Sequence, residues 1–443
     1  MINCFIFKSV YKMSNHTQFN IIILMLCLLF SCCKEPTIGQ GSKLDNVVTN
    51  VATDVTPFSV TLNGVINNYS VGEISRGQYG FLYTTEPSMD VTAAEQLFKQ
   101  YVSEGSATGC KVRYATNLLD GNSFNVTVSG FQPETTIYYC GIFITKDNKT
   151  YIGGVQNTTT LSYTPQISAA DVTTGVMYAN LFANVDLGGA VSKDCEIALL
   201  YSDSEDNLSN GSKVVCKRTE TDGIYNAELE YLTSNTTYFY KFYLYNKTIK
   251  TYFYTDIQSF TTKNADDFAV DLGLSVKWAS CDFGAEDPSE EGLWYSWGSL
   301  TSKMNGDISV YEHYKDNSYV NIGASISGTE YDAVTKYWGG KWRMPTKEEA
   351  EELINACNYK VIAGNPDYAV YTSANGNQIK MKWVYLGYKG YNLYELEMYS
   401  RWTGSLSEGG SEAYVFGVDE DYVGRLHTYE RKNEIWIRPV CDY

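Results

Sequence analysis

The sequence has few of the residues and motifs from which catalytic and metal sites are usually built. Only three histidines occur in 443 residues, and His16 lies near the N-terminus. The other two, His313 and His427, are isolated, and no HExxH or CxxC motif is present, so we expect no metal site. The GxSxG, P-loop and GxGxxG motifs are also missing. We therefore expect neither an enzyme nor a cofactor.

Positive charge and proline are also scarce. The 34 basic residues are outnumbered by 51 acidic ones, which gives a net charge of −17 at pH 7. Such a chain repels nucleic acid and anionic lipid, so neither is expected as a partner. Only 9 prolines accompany 36 glycines and 38 tyrosines, a composition typical of many short strands and not of disorder. The length indicates roughly three domains.

The N-terminal region contains an apolar run that is too short to span a bilayer. Lys8 and Lys12 precede this run, which covers residues 21–30 and is followed by a serine and Cys32. Together these parts predict a secretory signal peptide over residues 1–31. The cysteine after a small residue resembles the lipobox of Gram-negative lipoproteins. That resemblance implies that Cys32 receives diacylglycerol and becomes the mature N-terminus.

Lipidation at Cys32 predicts an outer-membrane protein that is anchored by its acyl chains and exposed at the cell surface. The signal contains two lysines and no acid, so the mature chain has 32 basic and 51 acidic residues. With that balance the lipid anchor, and not a basic patch, is expected to bind the membrane. Residues 33–35 (CKE) are similar to export signals for surface lipoproteins, but a periplasmic location stays open. An ordinary signal peptide and a start at Met13 instead of Met1 stay open too.

Two similar units follow a polar tether at residues 32–44. The first unit covers residues 45–162 and the second covers residues 163–264. Both contain short runs of alternating apolar residues between turn residues, which predict two tandem antiparallel β-sandwiches. The corresponding runs are 59–65 and 177–183, 79–83 and 197–201, and 131–139 and 232–240.

The first unit is longer than the second by about 17 residues between two of these landmarks. We predict a helix over residues 92–102 in this insertion, packed on the sandwich and not extended as a binding arm. Thr92 and Glu95 are expected to form its capping box. Four apolar residues share one face of this helix: Ala94, Leu97, Phe98 and Tyr101.

The two units resemble fibronectin type III-like domains at one corner. In that family a tyrosine six residues after a leucine bonds back to the backbone. Leu232 and Tyr238 have this spacing in the second unit, whereas the first unit has Ile137 beside Tyr138. The resemblance covers about 220 residues and implies a fold without implying a ligand.

A third domain is predicted over residues 266–443, because all eight tryptophans lie there. The segments LWYSWG at 293–298, GGKWRMPT at 339–346 and IRPVC at 437–441 occur in that order. This order resembles the major-paralogous-domain group of secreted lipoproteins, which is similar to C-type-lectin-like and formylglycine-generating-enzyme-like folds. The resemblance implies a lectin-like α+β domain with most tryptophans in its core.

Two helices are predicted in the third domain. Thr346 and Glu349 form a capping box before an apolar stripe that reaches Cys357. Residues 333–338 form a second stripe, and Gly339 is placed to end that helix. Helices among irregular strands agree with an α+β domain.

The cysteines do not predict a specific chemistry. Eight follow Cys32, and their spacing selects none of the possible disulfide connectivities. Formylglycine-generating relatives act through a reactive cysteine pair. Cys281, Cys357 and Cys441 do not reproduce an identifiable version of that pair.

A glycine-containing stretch late in the third domain repeats tyrosine with a period that fits neither a strand nor an α-helix. Loop tyrosines bury a large area at low entropic cost and still form hydrogen bonds, and their flat faces stack on sugar rings. We predict ligand binding here, with packing of the loop back onto the domain as the alternative. The predicted ligand-binding residues are Tyr388, Tyr391, Tyr394 and Tyr399.

Asp419 and Asp421 occupy the first and third positions of a sequence that partly matches a calcium loop. The fifth ligand position is Val423, and strand-like sequence lies on both sides. We therefore favour a polar turn between two strands over a calcium site.

The order of tether, sandwiches and aromatic-rich end predicts an envelope lipoprotein whose sandwiches present a lectin-like domain. This domain is expected to bind a glycan or an extracellular protein non-covalently, in adhesion or capture. The alternative is a structural or accessory subunit of a surface assembly such as a fimbria. A formylglycine-type enzyme ranks third.

Overall fold

A computed structural model describes residues 45–87, 89–302, 311–362, 367–383, 400–417 and 425–443. Strands predominate over helices in these ranges, which confirms the expected mainly β fold. Most strand pairs are antiparallel, and one pair in the C-terminal region is parallel. None of the helices in the described ranges has the length and apolar character needed to span a bilayer.

The first sandwich is built from two sheets. Its elements are β1 (Val47–Thr53), β2 (Ser59–Ile66), α1 (Val71–Ile74), β3 (Gln78–Thr84), α2 (Val91–Glu104), β4 (Lys111–Tyr114), β5 (Ser123–Ser129), β6 (Thr136–Ile144), β7 (Thr150–Ile152) and β8 (Gln156–Thr159). The strand orders are β1-β2-β5 and β4-β3-β6-β7, and β8 pairs with β6. The ring of Phe124 lies 5.6 Å from that of Tyr79 and 5.0 Å from that of Phe81, so the two sheets share an aromatic core.

Helix α2 covers the outer face of the sheet that contains β3 and β6. Ala94 and Phe98 are fully buried, and Leu97 and Tyr101 are partly buried on the same side. The predicted helix and its apolar face are therefore confirmed.

The predicted start of helix α2 is wrong. Asp90 is the N-cap, and its carboxylate accepts a hydrogen bond from the backbone N of Ala93 at 2.7 Å. Aspartate caps a helix at least as well as threonine, so the earlier residue is used instead of Thr92. Glu95 pairs with Lys99 on the exposed side of the helix and takes no part in a capping box.

The second sandwich repeats this plan without the long helix. Its strands are β9 (Gln166–Thr174), β10 (Ala179–Asp186), β11 (Cys195–Ser202), β12 (Ser212–Val215), β13 (Lys217–Arg218), β14 (Ile224–Leu229), β15 (Thr237–Asn246), β16 (Thr251–Tyr254) and β17 (Gln258–Thr261). The strand orders are β13-β14-β10-β9 and β12-β11-β15-β16, and β17 pairs with β15. Leu181, Leu199 and Phe242 are fully buried in the core between these sheets.

The two sandwiches share one register. Tyr83 of β3 pairs with Tyr139 of β6, and Tyr201 of β11 pairs with Tyr240 of β15 in the same way. The structure thus agrees with the correspondence of the two units predicted from the sequence.

The predicted corner is present in the second sandwich. The hydroxyl of Tyr238 accepts a hydrogen bond from the backbone N of Thr233 at 2.9 Å. Ile137 takes the corresponding place in the first sandwich, where it is fully buried. A threonine hydroxyl stabilises that corner, because Thr160 Oγ1 accepts from the backbone N of Thr135 at 2.8 Å.

The C-terminal region is α+β. Its elements are β18 (Ala269–Val270), β19 (Lys277–Ala279), β20 (Tyr314–Lys315), β21 (Ser318–Tyr319), α3 (Ala333–Tyr337), β22 (Trp342–Arg343), α4 (Lys347–Ala356), β23 (Asn358–Ile362), β24 (Asp367–Thr372), β25 (Gln378–Trp383), β26 (Arg401–Leu406), β27 (Glu412–Gly417), β28 (Arg425–Glu430), β29 (Trp436–Ile437) and β30 (Val440–Cys441). The sheets are β18-β19-β30-β22, β20-β21, β23-β24-β25 and β28-β27-β26-β29.

Both predicted helices of this region are confirmed. Thr346 Oγ1 accepts from the backbone N of Glu349 at 3.3 Å, and Glu349 Oε2 accepts from the backbone N of Thr346 at 2.8 Å. Gly339 follows α3 with a φ of +65°, a conformation that glycine adopts without strain. Tryptophans fill the core as expected, although Trp294 is only partly buried.

The second sandwich and the C-terminal region share a hydrophobic core, and residues 159–443 belong to one compact unit. The turn between β9 and β10 places Val176 and Met177 among buried C-terminal side chains, with exposures of 3% and 4%. Glu286 stabilises this turn, because its Oε1 accepts from the backbone N of Val176 at 2.8 Å and its Oε2 pairs with Lys263.

Candidate binding site

The residues that the sequence predicts for binding and lipidation lie outside the described ranges. They are Cys32, Tyr388, Tyr391, Tyr394, Tyr399, Asp419 and Asp421. The structure does describe the strands on either side of residues 384–399, which contain the four tyrosines and which we call the tyrosine segment. It therefore places the two strand ends that the segment connects, which we call the base of the segment.

A buried set of charged side chains forms this base. We call Asp282, Arg401 and Arg438 the Asp282 cluster. Asp282 Oδ2 accepts from Arg401 Nη2 at 2.8 Å, and Asp282 Oδ1 accepts from Arg438 Nε at 2.8 Å. All three side chains are 2% exposed or less. One carboxylate thus holds two guanidinium groups away from water.

The Asp282 cluster binds the backbone of β25, the strand that leads into the tyrosine segment. Arg401 Nη2 donates to the carbonyl of Lys382 at 3.0 Å, and Arg438 Nη2 donates to the carbonyl of Lys380 at 3.0 Å. Arg401 is also the first residue of β26, the strand that follows the segment. The strands on both sides of the tyrosine segment are therefore tied to the same carboxylate.

The charges of the Asp282 cluster keep the carboxylate of Asp282 ionised. Burial alone would raise the pKa of Asp282, but the guanidinium groups of Arg401 and Arg438 outweigh it and hold this pKa below its usual value. The carboxylate consequently stays ionised at neutral pH. Removing one partner of such a buried pair leaves a charge without compensation and costs about 3–5 kcal/mol, so each of the three residues depends on the others.

Aromatic and charged neighbours fix the side chains around this base. The guanidinium carbon of Arg401 lies 5.1 Å from the ring centroid of Trp436, whose ring is 5.0 Å from that of Trp294. Lys382, with its side chain 14% exposed, pairs with Glu291 at 2.9 Å. Side chains locked by packing and hydrogen bonds give a binding segment a defined starting geometry.

The two described histidines contact other groups. His313 Nε2 lies 3.0 Å from the carbonyl oxygen of Gly298, and His427 Nε2 lies 3.3 Å from Ser400 Oγ. Across the described parts of the chain, no group of three or more His, Cys, Asp or Glu side chains is arranged to hold a metal ion.

The C-terminal cysteines are buried free thiols. Burial raises the pKa of Cys281 to about 12 and also raises the pKa values of Cys357 and Cys441. Cys357 and Cys441 belong to different hydrophobic clusters. Because the thiolate is the reactive form of cysteine, these surroundings do not activate any of the three.

The Asp282 cluster is not predicted by the sequence. Arg401 and Arg438 lie 119 and 156 positions after Asp282, so no local motif connects the three residues. One signal was available. Both arginines fall within apolar, tryptophan-containing stretches, and arginine is rarely buried unless it is paired.

Comparisons with known proteins do not assign a family. No family model matches the sequence, and no curated protein matches it. The sensor domain of the anti-sigma factor RsgI4 from Pseudobacteroides cellulosolvens is 14% identical, covering 28% of this chain and 99% of that chain, with a TM-score of 0.19. The FN1–FN3 domains of chicken CNTN1 are 12% identical, covering 50% of this chain and 69% of that chain, with a TM-score of 0.19. These are weak structural neighbours, and no ligand follows from them.

Proposed function

We propose that the protein is an outer-membrane lipoprotein, acylated at Cys32 and facing the cell surface, that binds a glycan or an extracellular protein. Binding is non-covalent, takes place at the tyrosine segment, and serves adhesion or capture without a cofactor. In this proposal two fibronectin type III-like sandwiches carry a C-type-lectin-like domain of the major-paralogous group.

The observation that carries this proposal is the Asp282 cluster at the base of the tyrosine segment. Burying three charges to hold two strand ends is costly, so it is expected where the geometry of the connecting segment matters. Loops on rigid supports are the usual place for binding residues. Tyrosine is well suited to such a loop because it offers a large, rigid and amphipathic contact area.

Binding is tested with the mature chain carrying Cys32→Ser, which removes the acylation site and keeps the shared core of residues 159–443 intact. We expect a signal on a glycan array or on a panel of extracellular proteins. Combined Tyr388→Ala, Tyr391→Ala and Tyr394→Ala substitutions should weaken that signal by about 10- to 100-fold, because central aromatic residues dominate interfaces.

Tyr359→Ala serves as the matched control, since Tyr359 of β23 is 46% exposed and lies outside the segment. If Tyr359→Ala weakened the binding signal as much as the three substitutions do, the tyrosine segment would not be the binding site. Silence on both arrays, with recovery of the intact protein in a stable high-mass complex, would favour an accessory subunit of a surface assembly.

The anchor is tested independently of the ligand. Palmitate-probe labelling should mark the parent protein and leave Cys32→Ser unmarked. Protease treatment of intact cells should then degrade the parent protein. An unlabelled parent protein would refute the anchor, and protection from protease would place the protein in the periplasm.

A further inference from the structure

The first sandwich shows what covers one face of its sheet. Helix α2 lies over β3 and β6, and Phe98 is fully buried in a cluster with Leu82, Cys140 and Ile142. In that sandwich a polypeptide helix supplies the apolar side chains that keep water from the outer sheet face.

Among the described residues, no long helix lies over the corresponding face of the second sandwich. The shared register puts Leu200, Lys241 and Tyr243 at the three sheet positions that the helix covers in the first sandwich. Between β11 and β12, where the helix would be inserted, the chain forms only a short 3-10 turn at Leu208–Asn210. This face is partly covered by the chain itself, because Leu208 of the turn and Tyr243 are 1% and 4% exposed, but the tyrosines of β16 on the same face remain about half exposed.

A row of aromatic rings lies on this face. We call Tyr245, Tyr252 and Tyr254 the tyrosine stack. The ring centroids of Tyr245 and Tyr252 are 4.4 Å apart, and those of Tyr252 and Tyr254 are 5.8 Å apart. The row ends at Lys241, whose Nζ lies 4.7 Å from the ring centroid of Tyr254. Tyr252 and Tyr254 are still 49% and 51% exposed.

The groups beneath the tyrosine stack are held in place by hydrogen bonds. Tyr243 is only 4% exposed, and its hydroxyl donates to Glu196 Oε1 at 2.6 Å. Lys213 Nζ donates to the same oxygen at 2.8 Å. Since these side chains are already ordered, a partner would lose little conformational entropy in binding them.

The geometry of the stack favours a polypeptide over a sugar. The ring of Tyr252 is already engaged in stacking with both Tyr245 and Tyr254, so it is less available to a pyranose ring than an isolated tyrosine would be. The ring edges, the hydroxyl groups and the ammonium group of Lys241 remain for contact. Lys241 has no carboxylate partner among the described residues. Interfaces between proteins are enriched in tyrosine for this combination of area and hydrogen bonding.

We propose that this face is the docking site for an amphipathic helix of a partner protein, seated as α2 is seated on the first sandwich. An acidic residue of that helix would pair with Lys241, which stands where the first sandwich has the apolar Cys140. The first sandwich identifies a helix as the occupant, because a helix covers the same sheet face in the same chain. This surface contains none of the residues of the tyrosine segment, so either proposal can fail alone.

The test uses the full chain in the cells that produce it. The photo-crosslinker p-benzoylphenylalanine replaces Tyr252, and in a matched variant it replaces Tyr114, which is 37% exposed on the corresponding sheet of the first sandwich. We expect Tyr252→p-benzoylphenylalanine to crosslink to another protein, with the attached residues in an amphipathic helical segment. Lys241→Glu should reduce the crosslink about tenfold, as expected for a central interface residue.

Lys217→Glu is the charge control, because Lys217 is exposed on the other sheet, where it pairs with Glu228. It should leave the crosslink unchanged. Attachment to carbohydrate, to a second copy of this chain or to an extended segment would overturn the proposal. So would a yield no higher than that of the Tyr114 variant. Thermal unfolding at the parent's temperature confirms that each variant is folded.

Discussion

The first sandwich and residues 159–443 bury polar groups in different ways. Among the described residues of the first sandwich, the buried polar side chains are neutral hydroxyls such as Thr49 and Thr84. A hydroxyl costs little to bury once it is hydrogen-bonded, whereas a buried charge requires a partner. Residues 159–443 bury charges as well, at Asp282, Asp332, Arg401, Arg431 and Arg438. Within the described chain, buried charged side chains therefore lie in the part that also contains the tyrosine segment.

The strongest test of this difference is Asp282→Ala. The substitution leaves two guanidinium groups buried without their carboxylate. It should therefore lower the free energy of unfolding of residues 159–443 by about 3–5 kcal/mol. Tryptophan fluorescence during denaturation reports this unit alone, because all eight tryptophans lie within it. Hydrogen exchange in β3 should stay unchanged. A parallel loss of protection there would contradict an effect confined to residues 159–443.

The converse experiment is Phe98→Ala in helix α2. Removing a fully buried phenylalanine should destabilise the first sandwich by about 3–4 kcal/mol and leave tryptophan fluorescence unchanged. The measurement is hydrogen exchange in β3 and β6. Gln96→Ala, on the exposed side of the same helix, should change stability by no more than about 0.5 kcal/mol. Similar effects from both substitutions would mean that α2 does not pack as described.

On acidification, residues 159–443 should unfold at a higher pH than the first sandwich. The folded pKa of Asp282 lies below the unfolded value of about 3.9, so its stabilising contribution is present above that pH and is lost as the pH falls through the folded pKa. Burial raises the pKa of Asp332, which opposes this trend, but loss of the Asp282 charge leaves two buried guanidinium groups unpaired. We expect tryptophan fluorescence to change at a higher pH than exchange protection in β3. The reverse order would contradict the electrostatic difference between the units.

The smallest expected effect concerns the corner that only the second sandwich forms with a tyrosine. Tyr238→Phe removes the acceptor for the backbone N of Thr233 and should cost about 1 kcal/mol. Tyr201→Phe is the control, because the ring of Tyr201 contacts Tyr238 at 6.3 Å and its hydroxyl has no partner within the described ranges. Equal costs for the two substitutions, measured by urea denaturation, would show that the corner bond contributes nothing.

Features encoded locally could be predicted from the sequence. The capping box of Thr346 and Glu349, the corner at Tyr238 and the buried face of α2 each depend on residues a few positions apart. The predicted start of α2 lies two residues late, because Thr92 and Glu95 have the spacing of a capping box although Asp90 is the stronger cap.

Features that depend on distant residues could not be predicted. The Asp282 cluster joins three separate stretches of the chain, and only tertiary structure brings them together. The tyrosine stack lies between these extremes. Alternate tyrosines in β15 and β16 indicate one sheet face, but only the strand register shows that Tyr245 lies opposite Tyr252 and Tyr243 opposite Tyr254.

The turn that carries Val176 and Met177 makes the junction between the second sandwich and the C-terminal region resistant to mechanical separation. Pulling the second sandwich away from the C-terminal region would first have to extract both side chains from an aromatic interior and break the pairing of Glu286 with Lys263. The junction between the second sandwich and the C-terminal region is consequently rigid, and the two are expected to move together. For the same reason, a fragment cut at residue 266 would have a hole where these two side chains belong.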